Sequence, residues 1–191
     1  TLKGISGAAG QVESFTPDAG AVSGPASDIA KTDADAILIA QGGTVLRALA
    51  PMLAFDGVDT GKVKLLGTGL WYDTALTKEE TLAGGWFAAP APDAEAVFAA
   101  KYQGAFGAPP PPLASLAYDA VSLVALLSPG LPYARFTRAA LMDPNGFSGV
   151  DGIFRFGEDG TSERGLAILQ VTPDGFTLAD PAPRTFQNRG S

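Results

Sequence analysis

The stretch from Ala34 to Leu66 limits the possible folds more than any other part of the chain. Ala34-Asp35-Ala36-Ile37-Leu38-Ile39-Ala40 is continuously apolar after Asp35 and is closed by Gly42-Gly43, a length and pattern that predict a strand buried on both faces at the centre of a parallel sheet. Thr44 is placed to cap a helix whose apolar positions Val45, Leu46, Leu49, Met52 and Leu53 recur at three- and four-residue spacing until Asp56-Gly57 stops it. Residues 62–66 (KVKLL) read as the next strand. Strand, glycine turn, helix and strand make a βαβ unit, so residues 34–40 and 62–66 are expected to be adjacent and parallel with a right-handed crossover. The loops after both strands then open on the same sheet edge.

Elsewhere the pattern alternates between short elements and turns. Residues 11–17 read as a strand, Ser27 to Lys31 as a helix, and residues 83–89 (AGGWFAA) as a glycine-weakened strand ended by Pro90 and Pro92. Asp93 is the expected N-cap of a helix carrying Ala96, Val97, Phe98 and Tyr102. Pro109 to Pro112 forms a stiff linker, and the helix expected over 113–127 is apolar almost all round, which predicts that it is buried. A further helix is expected over 133–142. Residues 152–171 read as a hairpin turning at Glu158 to Thr161, whose arms extend the sheet. Beyond Asp180 the tail is polar and rich in proline.

Composition then removes whole classes of function. The 191 residues hold 13 basic and 20 acidic side chains, a net charge of −7, which is unsuited to phosphate backbones or anionic lipid. With neither histidine nor cysteine, catalytic triads, thiolate nucleophiles, disulfides and His- or Cys-ligated metals are excluded. An enzyme built from this chain would have to rely on carboxylates, serine, lysine or tyrosine. The 24 glycines and 15 prolines imply frequent turns. There is no apolar run of about 18 residues, so direct membrane insertion is not expected. The chain begins at Thr1 without a methionine, which reads as a processed or truncated form.

Gly42-Gly43-Thr44 lies where a strand hands over to a helix, the position at which open α/β sheets bind ligands through backbone amides and a helix N-terminus. The same glycines could simply make a tight turn. Gly67-Thr68-Gly69 follows the second strand but lacks the third glycine, the downstream acid and the Lys-Ser/Thr of nucleotide-binding loops. Leu70-Trp71-Tyr72-Asp73 puts two aromatics and a carboxylate beside it, as a pocket wall or as core. The candidate ligand-binding set is therefore Gln41, Gly42, Gly43, Thr44, Thr68, Gly69, Trp71 and Tyr72, with no catalytic residue, metal or cofactor. Glu79-Glu80, Asp93 and Glu95 read as a solvated turn and a helix start rather than a hydrolytic carboxylate pair. Asp119, in an apolar helix, requires a structural partner or a cleft. Arg155 and Arg164 read as surface charges of the hairpin.

Taken together, Ala34 to Ile39, Gly42-Gly43, Leu82-Ala83-Gly84, Phe98 with Tyr102, Ala117-Tyr118-Asp119-Ala120-Val121, Gly146 to Gly152 and Phe154-Arg155-Phe156 resemble the later half of type I periplasmic solute-binding proteins of the Leu/Ile/Val class. Glu163 to Ile168 with Pro181 to Phe186 is similar to the penicillin-binding protein activator branch of that fold. The resemblance implies a three-layer α/β/α, mostly parallel fold with a C-terminal hairpin, two lobes around a cleft, and about half of such a protein outside this sequence. By that analogy residues 1–112 form the core of the second lobe, 113–150 pack on the absent first lobe, and 151–191 return to the second. It implies the periplasmic receptor of an ABC-type uptake system that holds a small polar solute such as an amino acid and delivers it to a membrane permease, with a lipid anchor placed in a preceding segment. The alternative is an activator that contacts a cell-wall synthase. In amino-acid binders the second loop commonly offers a carboxylate to the ligand ammonium, whereas Gly67 to Leu70 has none.

Overall fold

The computed structural model describes residues 16, 18–111, 113–131 and 133–186. All but one residue of the strand expected over 11–17 lies outside the described residues. In chain order the elements are α1 (Ser23–Ala30), β1 (Ala36–Ile39), α2 (Gly43–Phe55), β2 (Lys64–Gly67), β3 (Trp86–Ala89), α3 (Pro92–Phe106), α4 (Ala114–Leu127), α5 (Arg138–Leu141), β4 (Phe147–Gly149), β5 (Gly152–Phe156), β6 (Ser162–Arg164), β7 (Ala167–Thr172) and β8 (Gly175–Asp180). Short 3-10 turns at Ala19–Ala21, Gly69–Trp71, Thr74–Lys78 and Glu80–Leu82 fill the intervals of the first part. The described residues divide into two compact units, one drawn from 16–87 and 170–177, the other from 88–169 and 178–186.

The first unit is built on the βαβ unit. β1 pairs in parallel with β2 and β2 with β3, in a five-stranded sheet ordered β1-β2-β3-β7-β8. β7 and β8 are joined only by Pro173-Asp174, a hairpin connection that makes the sheet mixed. Ile37, Ile39, Leu65, Phe87 and Val171 are buried. Burial of each such side chain is worth about 1.5–3 kcal/mol. Leu46, Leu49, Ala50 and Leu53 form the buried stripe of α2, which packs against α1 and the turns at 74–78 and 80–82. α1 starts at Ser23, four residues earlier than expected, because Pro25 falls within the first turn, where no intrahelical donor is needed.

Two expectations about this unit are corrected. β1 is not at the sheet centre: it ends the described order, and its burial alternates, with Leu38 47% exposed between buried Ile37 and Ile39. Its unbroken apolar run concealed an open face. Nor is Thr44 the cap of α2. Extended Gly42 is the N-cap, and the helix starts at Gly43 with φ of 54°, a left-handed value that glycine adopts at little cost.

The second unit carries α3, with Pro92 in its first turn and Ala91 as N-cap in place of the expected Asp93, and with left-handed Gly107 ending it. α4 buries only Asp119 and Leu123 along its length. Val121, Val124 and Leu126 are 69%, 52% and 64% exposed, so the expectation of a buried helix is not met within this chain. The helix expected over 133–142 is reduced to α5, whose Thr137 hydroxyl accepts from the Ala140 amide at 3.3 Å.

β4, β5 and β6 form a separate antiparallel sheet over a small core of Leu123, Phe147 and Phe154. The hairpin turns where expected, with the Gly157 amide donating to the Thr161 carbonyl at 2.8 Å and Gly160 at φ of 82°. Its second arm, however, is only Ser162–Arg164, and the arms do not extend the main sheet. Gly165 marks the end of that arm: its amide donates to the Ile153 carbonyl at 2.8 Å, and a Cβ there would lie 2.7 Å from both Ile153 and Pro183. Ala167–Thr172 leaves as β7.

Asp119 has the structural partners that its position in α4 demanded. Its Oδ1 accepts from the Val150 amide at 2.7 Å, and Oδ2 lies 3.5 Å from the Arg164 guanidinium. Gly149 permits this approach, because a Cβ there would sit 2.3 Å from Oδ2. Arg164 is thus not a surface charge, and its guanidinium also lies 5.0 Å from the Phe154 ring centre. Arg155 pairs with Glu163 across the hairpin at 2.7 Å.

Candidate functional site

The loops after β1 and β2 meet at the carboxyl edge of the parallel strands. A Cβ on Gly42 would come 2.5 Å from the Leu70 carbonyl oxygen and 2.9 Å from its Cβ. The backbone of the first loop therefore lies directly against the second, and Gly42 is needed for closeness, its φ of −140° being ordinary extended backbone. No side chain caps the start of α2, and no acid lies in its first turn. The positive end of a 13-residue helix thus faces this junction with amides that have no intrahelical acceptor.

The second loop is organised by Trp71. It is fully buried, its indole Nε1 donates to the Ile39 carbonyl at 3.2 Å, and its ring lies 6.3 Å from that of Phe87. Gly67 makes room for it: a Cβ there would meet the indole at 2.2 Å. Thr68 caps the following 3-10 turn, its hydroxyl accepting from the Leu70 amide at 3.4 Å. Asp73 caps the next turn, accepting from the Ala75 amide at 2.9 Å. Glu79 accepts from the Thr81 hydroxyl at 2.8 Å, in keeping with a structural turn.

The expected site residues therefore fall into two groups. Gln41, Gly42, Gly43 and Thr68 are half-buried, while Thr44, Gly69 and Tyr72 are exposed, around the junction of the two loops. Trp71 is the exception: with no exposed surface it joins the ends of β1 and β2 from beneath and does not line a concave surface. A second correction concerns the loop after β2, which leads into 3-10 turns and not into an α-helix. Tyr72 packs its ring 5.4 Å from Phe176 and 6.1 Å from Phe87. Sequence reasoning missed Leu70, 59% exposed at the point of contact with Gly42, and Phe176, brought in by the unforeseen β7–β8 hairpin. Neither carries a local signal.

A cavity of about 320 Å³ opens at the other end of the strands, where Asp35 and Val63 precede β1 and β2, with Thr32, Asp33, Val58 and Lys62 among its walls. Lys62 is already engaged there with Asp59 at 2.9 Å. In the second unit the Lys101 ammonium donates to the Tyr118 hydroxyl at 2.7 Å, and this hydrogen bond holds the phenol below its ordinary pKa.

No protein-family model and no curated protein matches the sequence. Solved structures do resemble it in fold. A provisionally named branched-chain amino acid ABC transporter from Rhodospirillum rubrum aligns with TM-score 0.66 and 21% identity, over 82% of this chain and 48% of its own. A solute-binding protein of an ABC transporter from R. palustris, in complex with benzoate, gives TM-score 0.55 and 14% identity over 87% and 48%. The C-domain of LpoA from Haemophilus influenzae, a regulator of PBP1A, gives 0.54 and 13% over 83% and 49%. The fold is that of the type I periplasmic binding proteins. Within it the neighbours are binding proteins of ABC transporters, some of them for branched-chain amino acids, and this regulator. The chain spans about half the length of each. Among the described residues, no helix is long and apolar enough to cross a membrane.

Proposed function

We propose that the chain is part of the periplasmic receptor of an ABC-type uptake system, binding a small polar solute at the junction of the loops 41–44 and 68–72. The observation that carries this reading is the contact of Gly42 with Leu70, which brings the uncapped start of α2 and the 3-10 turn of the second loop to one point. Amides at the positive end of a helix suit a carboxylate or another anionic group. Thr44 and Thr68 supply hydroxyls and Tyr72 an aromatic edge. No acid in Gly67 to Leu70 stands ready for an ammonium, and Asp73 is occupied as a cap. A carboxylate without an amino group, of the kind the R. palustris protein holds, fits the loops as well as an amino acid does. The lobe assignment belongs to this proposal too, with 1–112 and 151–191 in the second lobe and 113–150 packing on a first lobe outside this sequence.

A second reading, an activator of a cell-wall synthase acting by protein contacts, is favoured by the likeness to the LpoA C-domain and by the missing acid. Calorimetry of the natural polypeptide with branched-chain amino acids and with benzoate separates the two. Binding that weakens in Thr44→Val and Tyr72→Ala supports the receptor. Failure of every small solute, with capture of a penicillin-binding synthase, supports the activator.

A further inference from the structure

The turn that leads into β4 is Asp143-Pro144-Asn145-Gly146, an order of residues that suits a tight turn. The Gly146 amide closes it by donating to the Asp143 carbonyl at 2.9 Å, and Gly146 takes a φ of 70°. Asparagine before glycine is also the pair in which a backbone amide most readily attacks a side-chain amide, because glycine has no side chain to obstruct the approach. Here Asp143 restrains both reactants. Its Oδ1 accepts from Asn145 Nδ2 at 3.1 Å and from the Asn145 backbone amide at 2.9 Å. Its carbonyl occupies the Gly146 amide, which is the nucleophile. Asn145 itself is exposed.

We propose that Asn145 is a site of spontaneous deamidation held in check by Asp143, converted only when this turn opens locally. In the open turn the Gly146 nitrogen gives up its proton and bonds to Asn145 Cγ. The bond from Cγ to Nδ2 breaks, and ammonia leaves carrying that proton. Water then opens the cyclic imide at either of its carbonyls, giving aspartate or isoaspartate at 145. Isoaspartate routes the backbone through its own side chain and so lengthens it by one methylene. The turn has no room for this. A Cβ on Gly146 would already lie 2.5 Å from the Phe154 carbonyl oxygen and 2.7 Å from the Phe186 ring. The next residue, Phe147, pairs with Phe154 in the small core. Arg155 ties the same turn to the tail, donating to the Pro144 carbonyl at 3.2 Å with its guanidinium 4.5 Å from the Phe186 ring centre. Isoaspartate at 145 therefore pushes β4 out of register with β5 and loosens the tail at Phe186. The inference uses the second unit alone and holds for receptor and activator alike.

The test incubates the natural polypeptide carrying this chain at mildly alkaline pH and follows the peptide containing Asn145 by mass spectrometry, native and in urea. Conversion should be many-fold slower in the native protein than in urea. Asp143→Ala should speed native conversion several-fold, whereas Asp143→Asn, which keeps an oxygen acceptor, should stay near the wild type. Isoaspartate-containing protein, separated by ion exchange, should unfold at a lower urea midpoint than unconverted protein. Equal rates in the native and unfolded states, or no conversion in urea, would overturn the proposal. So would a folded Asp143→Ala variant that converts as slowly as the wild type, or an unchanged midpoint after conversion. If Asp143→Ala does not fold, hydrogen exchange of the Gly146 amide in the native wild type decides: conversion must slow in step with that exchange when the turn is stabilised by lower temperature, and conversion that proceeds while the amide stays protected refutes the idea.

Discussion

Replacing Trp71 separates a packing role from a binding role. The side chain is fully buried, donates to the Ile39 carbonyl at 3.2 Å, and fills the space that Gly67 and Gly85 leave open; a Cβ on those glycines would lie 2.2 Å and 2.9 Å from the indole. Two glycines shaped around one ring leave little scope for the site to collapse when the ring is removed. Trp71→Ala should therefore cost about 3–5 kcal/mol, the range for buried tryptophan deletions. Trp71→Phe keeps an aromatic ring but loses the hydrogen bond and part of the volume, and should cost about 1–2.5 kcal/mol. Against a total stability of about 5–15 kcal/mol, the alanine variant sits near the edge of folding. Urea unfolding read by Trp86 fluorescence follows this unit, and the midpoint should fall with little change in slope. A loss under about 1 kcal/mol for Trp71→Ala would refute the reasoning, because it would mean that the indole is neither packed nor hydrogen-bonded as described.

Other substitutions test neighbouring contacts. Gly42→Ala forces a Cβ against the Leu70 backbone at 2.5 Å and should cost roughly 1–3 kcal/mol by chemical denaturation while weakening solute binding; a neutral result would mean that the loops do not touch. Asp119→Ala leaves the Val150 amide without its acceptor and Arg164 without its counter-charge, a loss of roughly 3 kcal/mol in a urea melt, whereas Asp119→Asn keeps the amide's acceptor and should lose less. Tyr118 should titrate below free tyrosine by absorbance near 295 nm and return toward the ordinary value in Lys101→Met. Because the folded pKa is depressed, this contact stabilises at pH above the unfolded tyrosine value, and its contribution is lost as pH falls through the folded one. Val121→Lys, on the exposed side of α4, should leave the stability of the 191-residue chain within about 0.5 kcal/mol, again by urea melt.

The elements that local pattern specified are those whose partners are close in sequence. The parallel pairing of β1 with β2 followed from two short apolar runs flanking one helical stripe, and the turn at Glu158 to Thr161 followed from Asp159-Gly160. The fate of Leu166 to Val171 was not legible, because alternation tells that a segment is a strand but not which sheet takes it. Gly165, wedged between Ile153 and Pro183, ends the second arm of the hairpin, and Pro183 is 18 residues away in sequence. α4 shows the same limit from the other side: apolar residues all round a helix predict burial only when something in the chain covers them, and here Asp119 and Leu123 take the docked side.

The candidate site divides along this line. Gln41 to Thr44 could be placed from sequence because a strand, two glycines and a helix determine the backbone path. Trp71 and Tyr72 could not be told apart, being adjacent aromatics in a loop of identical local character. What separates them is Gly67. By lacking a side chain it admits the Trp71 indole beneath the strand ends, so the next residue emerges outward to pack on Phe87 and Phe176 at the rim. Gly67, in a segment that lacks the marks of a nucleotide-binding loop, therefore serves to seat a tryptophan. The same seat brings Leu70 against Gly42, so the geometry of the candidate site depends on a residue that a ligand at the loop surface would never touch.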